Sequence, residues 1–128
     1  ELDLPDIRNS LRSVMWRNVG IVRNGERLTE SCNILDFWAH YTLDKTFDHP
    51  AGWEVQNMIT VARQIAASAL QRDVSVGVHF RSDAPDDTGI DQPAYRLEIR
   101  RTKDGAAPRR VPLSQVASRG PCRSSDVG

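Results

Sequence analysis

Residues 53–83 read WEVQNMITVARQIAASALQRDVSVGVHFRSD, and the first two-thirds of this stretch carry the pattern of one long amphipathic helix. Val55, Met58, Ile59, Ala62, Ile65, Ala66 and Ala69 recur at steps of three and four, which places them on a single stripe. Ala62, Ala66 and Ala69 are small, so a neighbouring helix can approach closely along it. Asn57, Arg63 and Gln64 fall mostly off the stripe. The pattern stops after Arg72. The next run, Ser75 to Asp83, packs Gly, His, Phe, Arg and Asp together, with Val76, Val78 and Phe80 alternating in a short strand-like fashion. A run of this composition suits contacts better than a core.

Working outward, Leu4-Pro5-Asp6 predicts a helix start, with Asp3 as cap, Pro5 in the first turn and Asp6 at the positive end of the dipole. Ile7, Leu11, Val14, Met15 and Asn18 trace one face of this helix, which ends near Asn18-Val19-Gly20. Trp16 falls off that face and is free for a second contact or a partner domain. Asn24-Gly25 is a turn signal. A second helix is expected from about Glu26 to about Thr46, with Leu28, Cys32, Leu35, Ala39 and Thr42 on one face and Trp38 and Tyr41 beside it. His49-Pro50-Ala51-Gly52 reads as a break before the third helix. Three helices with short links favour antiparallel neighbours, so the fold class is all-α, an up-down-up three-helix bundle.

From Ala84 the character changes. Residues 1–85 form the expected bundle domain and 86–128 an extension. Ala84-Pro85-Asp86-Asp87-Thr88-Gly89 reads as a linker. Tyr95 to Arg100 alternates as a strand with one wet face, Lys103-Asp104-Gly105 is a turn signal, and Arg109 to Leu113 makes the return strand, with Pro112 confining it to an edge. This hairpin, within residues 94–113, must dock on something to be stable. Residues 114–128 are expected to be disordered.

The 128 residues suit one folding unit that buries roughly two-thirds of its unfolded surface. Seventeen basic and seventeen acidic residues cancel, so no global charge favours nucleic acid or a membrane surface. Residues 94–128 hold eight Lys/Arg against three Asp/Glu, a local excess better suited to a solubilising or clamping terminus than to nucleic acid. No apolar run reaches the roughly 20 residues that a membrane span needs. The start at Glu1 without a Met suggests a domain cut from a longer protein. Cys32 and Cys122 make no disulfide framework, which points to a reducing, cytoplasmic setting. Cys32 reads as a small core residue.

Two stretches carry a family resemblance. Ser75, Gly77, His79, Phe80, Arg81, Asp83 and Pro85 follow the third helix in a Ser-x-Gly-x-His-[Phe/Tyr]-Arg-x-Asp-x-Pro run. Upstream, Met15-Trp16, Val19-Gly20-Ile21-Val22-Arg23 form a Met-Trp-x-x-Val-Gly-Ile-Val-Arg run. The chain thus resembles the C-terminal helical domain of the succinate dehydrogenase/fumarate reductase flavoprotein superfamily over residues 8–85, in its L-aspartate oxidase branch. The resemblance implies a spectrin-repeat-like bundle. For a full-length protein it implies FAD-dependent oxidation of L-aspartate to iminoaspartate, feeding quinolinate and NAD synthesis. The flavin-binding and capping domains of that longer chain would be the partners, and the domain's role would be architectural. The same domain of a succinate dehydrogenase or fumarate reductase is an alternative within the family. A free-standing helical module that binds a protein partner is the alternative outside it.

No glycine spacing here makes a dinucleotide fingerprint, so this stretch of chain is expected to bind no cofactor itself. No catalytic residue is assigned: a single His without a nearby nucleophile or ligand set defines no chemistry. Asp36, His40, Asp44 and Asp48, spaced by four, would line a ridge of the second helix. That ridge reads as a solvated face near Lys45, not as a metal site. The interface candidates are His79, Arg81, Asp83, Trp16 and Arg23. Arg81 either pairs a carboxylate across a domain interface, with His79 making a fixed hydrogen bond, or both satisfy local groups such as helix C-terminal carbonyls and Asp83.

Overall fold

The computed structural model describes residues 3–85, 93–103 and 105–115. Three helices dominate: α1 (Leu4–Asn18), α2 (Gly25–Thr42) and α3 (Pro50–Gln71). Two short strands, β1 (Val22–Arg23) and β2 (Phe80–Arg81), pair in parallel with Val22 opposite Phe80 and Arg23 opposite Arg81. A hairpin follows, β3 (Tyr95–Ile99) antiparallel to β4 (Pro108–Pro112), and a 3-10 turn covers Leu113–Gln115.

Each helix begins on a side chain that accepts from a free amide. Asp3 Oδ1 accepts from the Asp6 amide at 3.1 Å, as expected. Asn24 Oδ1 accepts from Arg27 at 2.8 Å, so Asn24-Gly25 is the start of α2 and not a turn. His49 Nδ1 accepts from Ala51 at 3.1 Å, and Pro50, at the first helical position, opens α3. The His49–Gly52 segment is therefore a helix start as well as a break, since Pro lacks the amide that a first turn leaves unpaired anyway. α2 stops at Thr42, four residues short of Thr46. Asp44 and Asp48 are consequently off the helix, and the expected ridge does not form. Asp36 pairs with Arg63 of α3 at 2.7 Å instead of facing Lys45.

The three helices contact one another pairwise. Their shared core is built from Leu11, Val19, Leu28, Leu35, Ala39, Val55, Ile59, Ala62, Ala66 and Ala69. Leu28, Leu35 and Ile59 are fully shielded, each worth about 2 kcal/mol of burial. Ala39 of α2 and Ala62, Ala66 and Ala69 of α3 are the small residues of this core. Ile65 departs from the predicted stripe and is 43% exposed. Cys32 is half-buried at the core's margin, and burial raises its thiol pKa, with Asp36 adding to the effect.

The hairpin docks on the C-terminal end of α3. Arg110 donates to the Gln71 carbonyl at 2.8 Å and pairs with Asp73 at 2.9 Å. Two guanidinium groups lie over the Tyr95 ring, Arg72 at 4.6 Å and Arg110 at 4.9 Å from its centre. Every residue of β3 is half-buried, so the strand lacks the clean wet face expected of it. Glu98 has Arg96, Arg100 and Arg109 around it, which lets a carboxylate sit in a half-buried strand. β4 begins one residue earlier than expected, at Pro108. Ser114 and Gln115, placed in the disordered tail by sequence, belong to the 3-10 turn. The rest of that tail with Cys122, most of the expected linker, and Asp104 of the turn lie outside the described residues.

Candidate functional site

Four of the five interface candidates converge where three helix ends meet. Arg81 on β2 is 7% exposed. Its Nε and Nη2 donate to the two carboxylate oxygens of Asp83 at 2.8 and 3.0 Å, a bidentate pair. Its Nη1 reaches the carbonyls of Arg72, Leu70 and Ala69 at 3.1, 3.3 and 3.4 Å. Those carbonyls are the unpaired acceptors that close α3, so the guanidinium sits at the negative end of that helix. Asp83 does the converse: its Oδ2 accepts from the Gly25 amide at 2.8 Å, at the positive end of α2. The pair thus ties the start of α2 to the end of α3. A Cβ at Gly25 would lie 2.9 Å from both Arg81 Nη2 and Asp83 Oδ2, so the ends of those two side chains would have to shift to admit it.

His79 and Arg23 extend the tie to α1. His79 Nε2 lies 2.8 Å from the Arg72 carbonyl and must donate to it. Its Nδ1 is then an acceptor, 2.8 Å from Arg23 Nη1. Arg23 Nε in turn donates to the Val19 and Gly20 carbonyls at 3.1 and 3.0 Å, where α1 ends. The Arg81 amide is held by Ser75 Oγ at 2.9 Å. Burial lowers the His79 pKa, the Arg72 carbonyl opposes this, and the Arg23, Arg81 and Arg72 charges add to the lowering. The Asp83 carboxyl is held far below the usual carboxylate range, first by Arg81 and then by the Gly25 amide. Arg81 is raised, chiefly by Asp83.

Of the five interface candidates, four therefore form one latch: Arg23, His79, Arg81 and Asp83. Within this chain Arg81 and His79 bond the α3 C-terminal carbonyls, Arg81 also Asp83 and His79 also Arg23. Trp16 stands apart, 77% exposed. Ser75 and Gly25 belong to the latch and were not singled out; the Ser-x-Gly-x-His run contains the first, and only the fold brings Gly25 to Asp83. The latch contains no nucleophile beside a base. Among the described residues no group of three His, Cys, Asp or Glu side chains is placed to hold a metal ion. No described helix is long and apolar enough to cross a membrane.

Comparison with known proteins fits this pattern. The family model for the fumarate reductase flavoprotein C-terminus matches residues 8–104, running past residue 85 and taking in β3. An uncharacterised FAD-dependent oxidoreductase of Methanocaldococcus jannaschii is 31% identical over 90 residues, covering 67% of this chain and 17% of its own length. The chloroplastic L-aspartate oxidase of Arabidopsis thaliana is 34% identical over 91 residues, covering 62% of this chain and 14% of its own. The L-aspartate oxidase of Acinetobacter baylyi is 31% identical over 86 residues, with 61% and 15% covered. The chain spans only about a sixth of the length of these relatives. No solved structure matches it.

These relatives raise the question of whether the chain itself could hold FAD. A dinucleotide's pyrophosphate is bound by free amides at the start of a helix that follows a strand. Among the described residues the one α-helix that directly follows a strand is α2 after β1, and its first amide is already taken by Asp83 and its third by Asn24. The described sheets are two-stranded, without the parallel βαβ layer that frames such a site. The described residues offer no dinucleotide cradle of that kind. With its three packed helices, its latch across their ends and a family match over three-quarters of its length, the chain belongs to the C-terminal helical domain family of the succinate dehydrogenase/fumarate reductase flavoproteins, with L-aspartate oxidases among its relatives.

Proposed function

We propose that the chain is the C-terminal domain of an FAD-dependent L-aspartate oxidase, in which it packs against the flavin-binding domain and stabilises it without supplying a catalytic group. Bound in the remainder of such a protein, FAD would accept the electrons that convert L-aspartate to iminoaspartate on the way to quinolinate and NAD. The setting would be cytoplasmic, and the partners would be the flavin-binding and capping domains of the same chain. Within the domain the helices would run up, down and up, in the manner of a spectrin repeat. The observation that carries the architectural role is the latch: Arg81 and His79, the groups best suited to chemistry, are engaged with helix ends of their own chain. The aspartate branch draws its support from the named relatives.

The test is made in the longer protein this reading implies. Intact, it should retain FAD and produce peroxide with L-aspartate, whereas deletion of residues 8–104 should lose both. Full activity after the deletion would contradict the architectural role. A second reading, the same domain of a fumarate reductase or succinate dehydrogenase, is favoured by the description of the matched family. Reduction of the flavin by succinate but not by L-aspartate would establish it in place of the first.

A further inference from the structure

Around the latch the usual sense of strand alternation is reversed. His79 and Arg81 face inward at 8% and 7% exposure, while Val78 and Phe80 face solvent at 99% and 50%. A strand that sends its polar residues in and its apolar residues out has a covered outer face as its natural complement. That face continues across the ladder. Phe80 stands opposite Val22, itself exposed, and Val22 lines a concave surface of 530 Å³ with Ile21 and Trp16. Val78 is held out on the turn closed by the Val76–His79 bridge, where Gly77 takes φ 57°. The latch lies beneath this surface and ties its strands to the helix ends. Arg17 and Arg27 border the same concavity, and among the described residues neither has a carboxylate partner.

We infer that the surface formed by Trp16, Ile21, Val22, Val78 and Phe80 is where this domain docks on the flavin-bearing body of the longer protein. The inference rests on the function proposed above and assigns the docking face. The occupant is an apolar patch flanked by carboxylates that meet Arg17 and Arg27. The two guanidinium groups at the rim, left without a carboxylate among the described residues, argue for it. So does the size of the relatives: this chain spans 14–17% of their length, which leaves a body several times larger to supply the complementary surface.

The test places Ile21→Asp, Val78→Asp and Phe80→Asp singly in the longer protein and in the chain alone. Val61→Asp is the control, on the separate groove between α1 and α3 where Val61 is 53% exposed. In the longer protein the three variants should each lower the temperature of flavin release by about 3–6 °C, and Val61→Asp should not. The chain alone should melt as wild type in all four. Wild-type flavin release in the three variants, or a loss confined to Val61→Asp, overturns the docking face and leaves the proposed function intact. A matching drop in the chain alone overturns it in favour of internal packing. Dimers of the chain alone that the three variants split overturn it in favour of a second copy. A wild-type longer protein without flavin overturns the function and this inference together.

Discussion

Arg81 meets a carboxylate and three helix-terminal carbonyls at once, and its side chain is almost fully shielded. Truncation would leave those carbonyls uncovered and Asp83 without its partner. Asp83 is itself 43% exposed, so water recovers part of the loss. Arg81→Ala should therefore destabilise the chain by about 2 kcal/mol, seen as a clear fall in the midpoint of a thermal melt by circular dichroism. An unchanged midpoint would place its partners elsewhere. His79 adds a pH dependence. Its folded pKa lies below the ordinary value of 6.5, so the fold binds the neutral ring better. That contribution is complete above about 6.5 and is lost as pH falls through the folded value. Wild type should lose stability from pH 7 to pH 5 more steeply than His79→Gln; parallel profiles would refute the assignment. Asp83 acts in the same direction at lower pH, its stabilisation fading only below the ordinary carboxylate range. The sequence showed the residues of this latch but left two uses for them open. Seeing the latch needed Arg23 and Gly25, which chain order separates from His79 and Asp83 by more than fifty residues.

At the level of elements, the helices were legible because their apolar spacing is regular, and their ends were less so. Asn24 and Pro50 are turn formers by composition, yet each starts a helix, since a cap and a first-turn proline use the same chemistry as a turn. The buried stripe of α3 is narrower than its apolar spacing predicts. Ala62 is 4% exposed while Ile65, one step further round, is 43% exposed. Ala62→Trp should overpack the core and cost about 3 kcal/mol or the cooperative melt itself, whereas Ile65→Trp should leave the midpoint within about 1 °C. Equal effects from the two would refute this helix orientation. The hairpin was legible from its alternation and turn residues, but its docking was not. Arg72 and Arg110 reach Tyr95 from α3 and β4, and nothing in local spacing signals these contacts.

For the whole molecule, two motifs far apart in the chain pointed to one family, and the fold explains why they belong together. One ends α1 and supplies Arg23; the other follows α3 and supplies His79, Arg81 and Asp83. They meet on the β1–β2 ladder, where charges at three helix ends hold the helices in place. Under the function proposed above, a domain organised in this way would give rigidity to a neighbour and leave the redox step to it. The N-terminus of α2, the nearest counterpart of a dinucleotide cradle, is already filled by Asp83. Equilibrium dialysis of the purified chain against FAD tests this most directly. No retention of FAD beyond that of a non-binding control is expected, and one FAD held per chain would contradict the architectural reading.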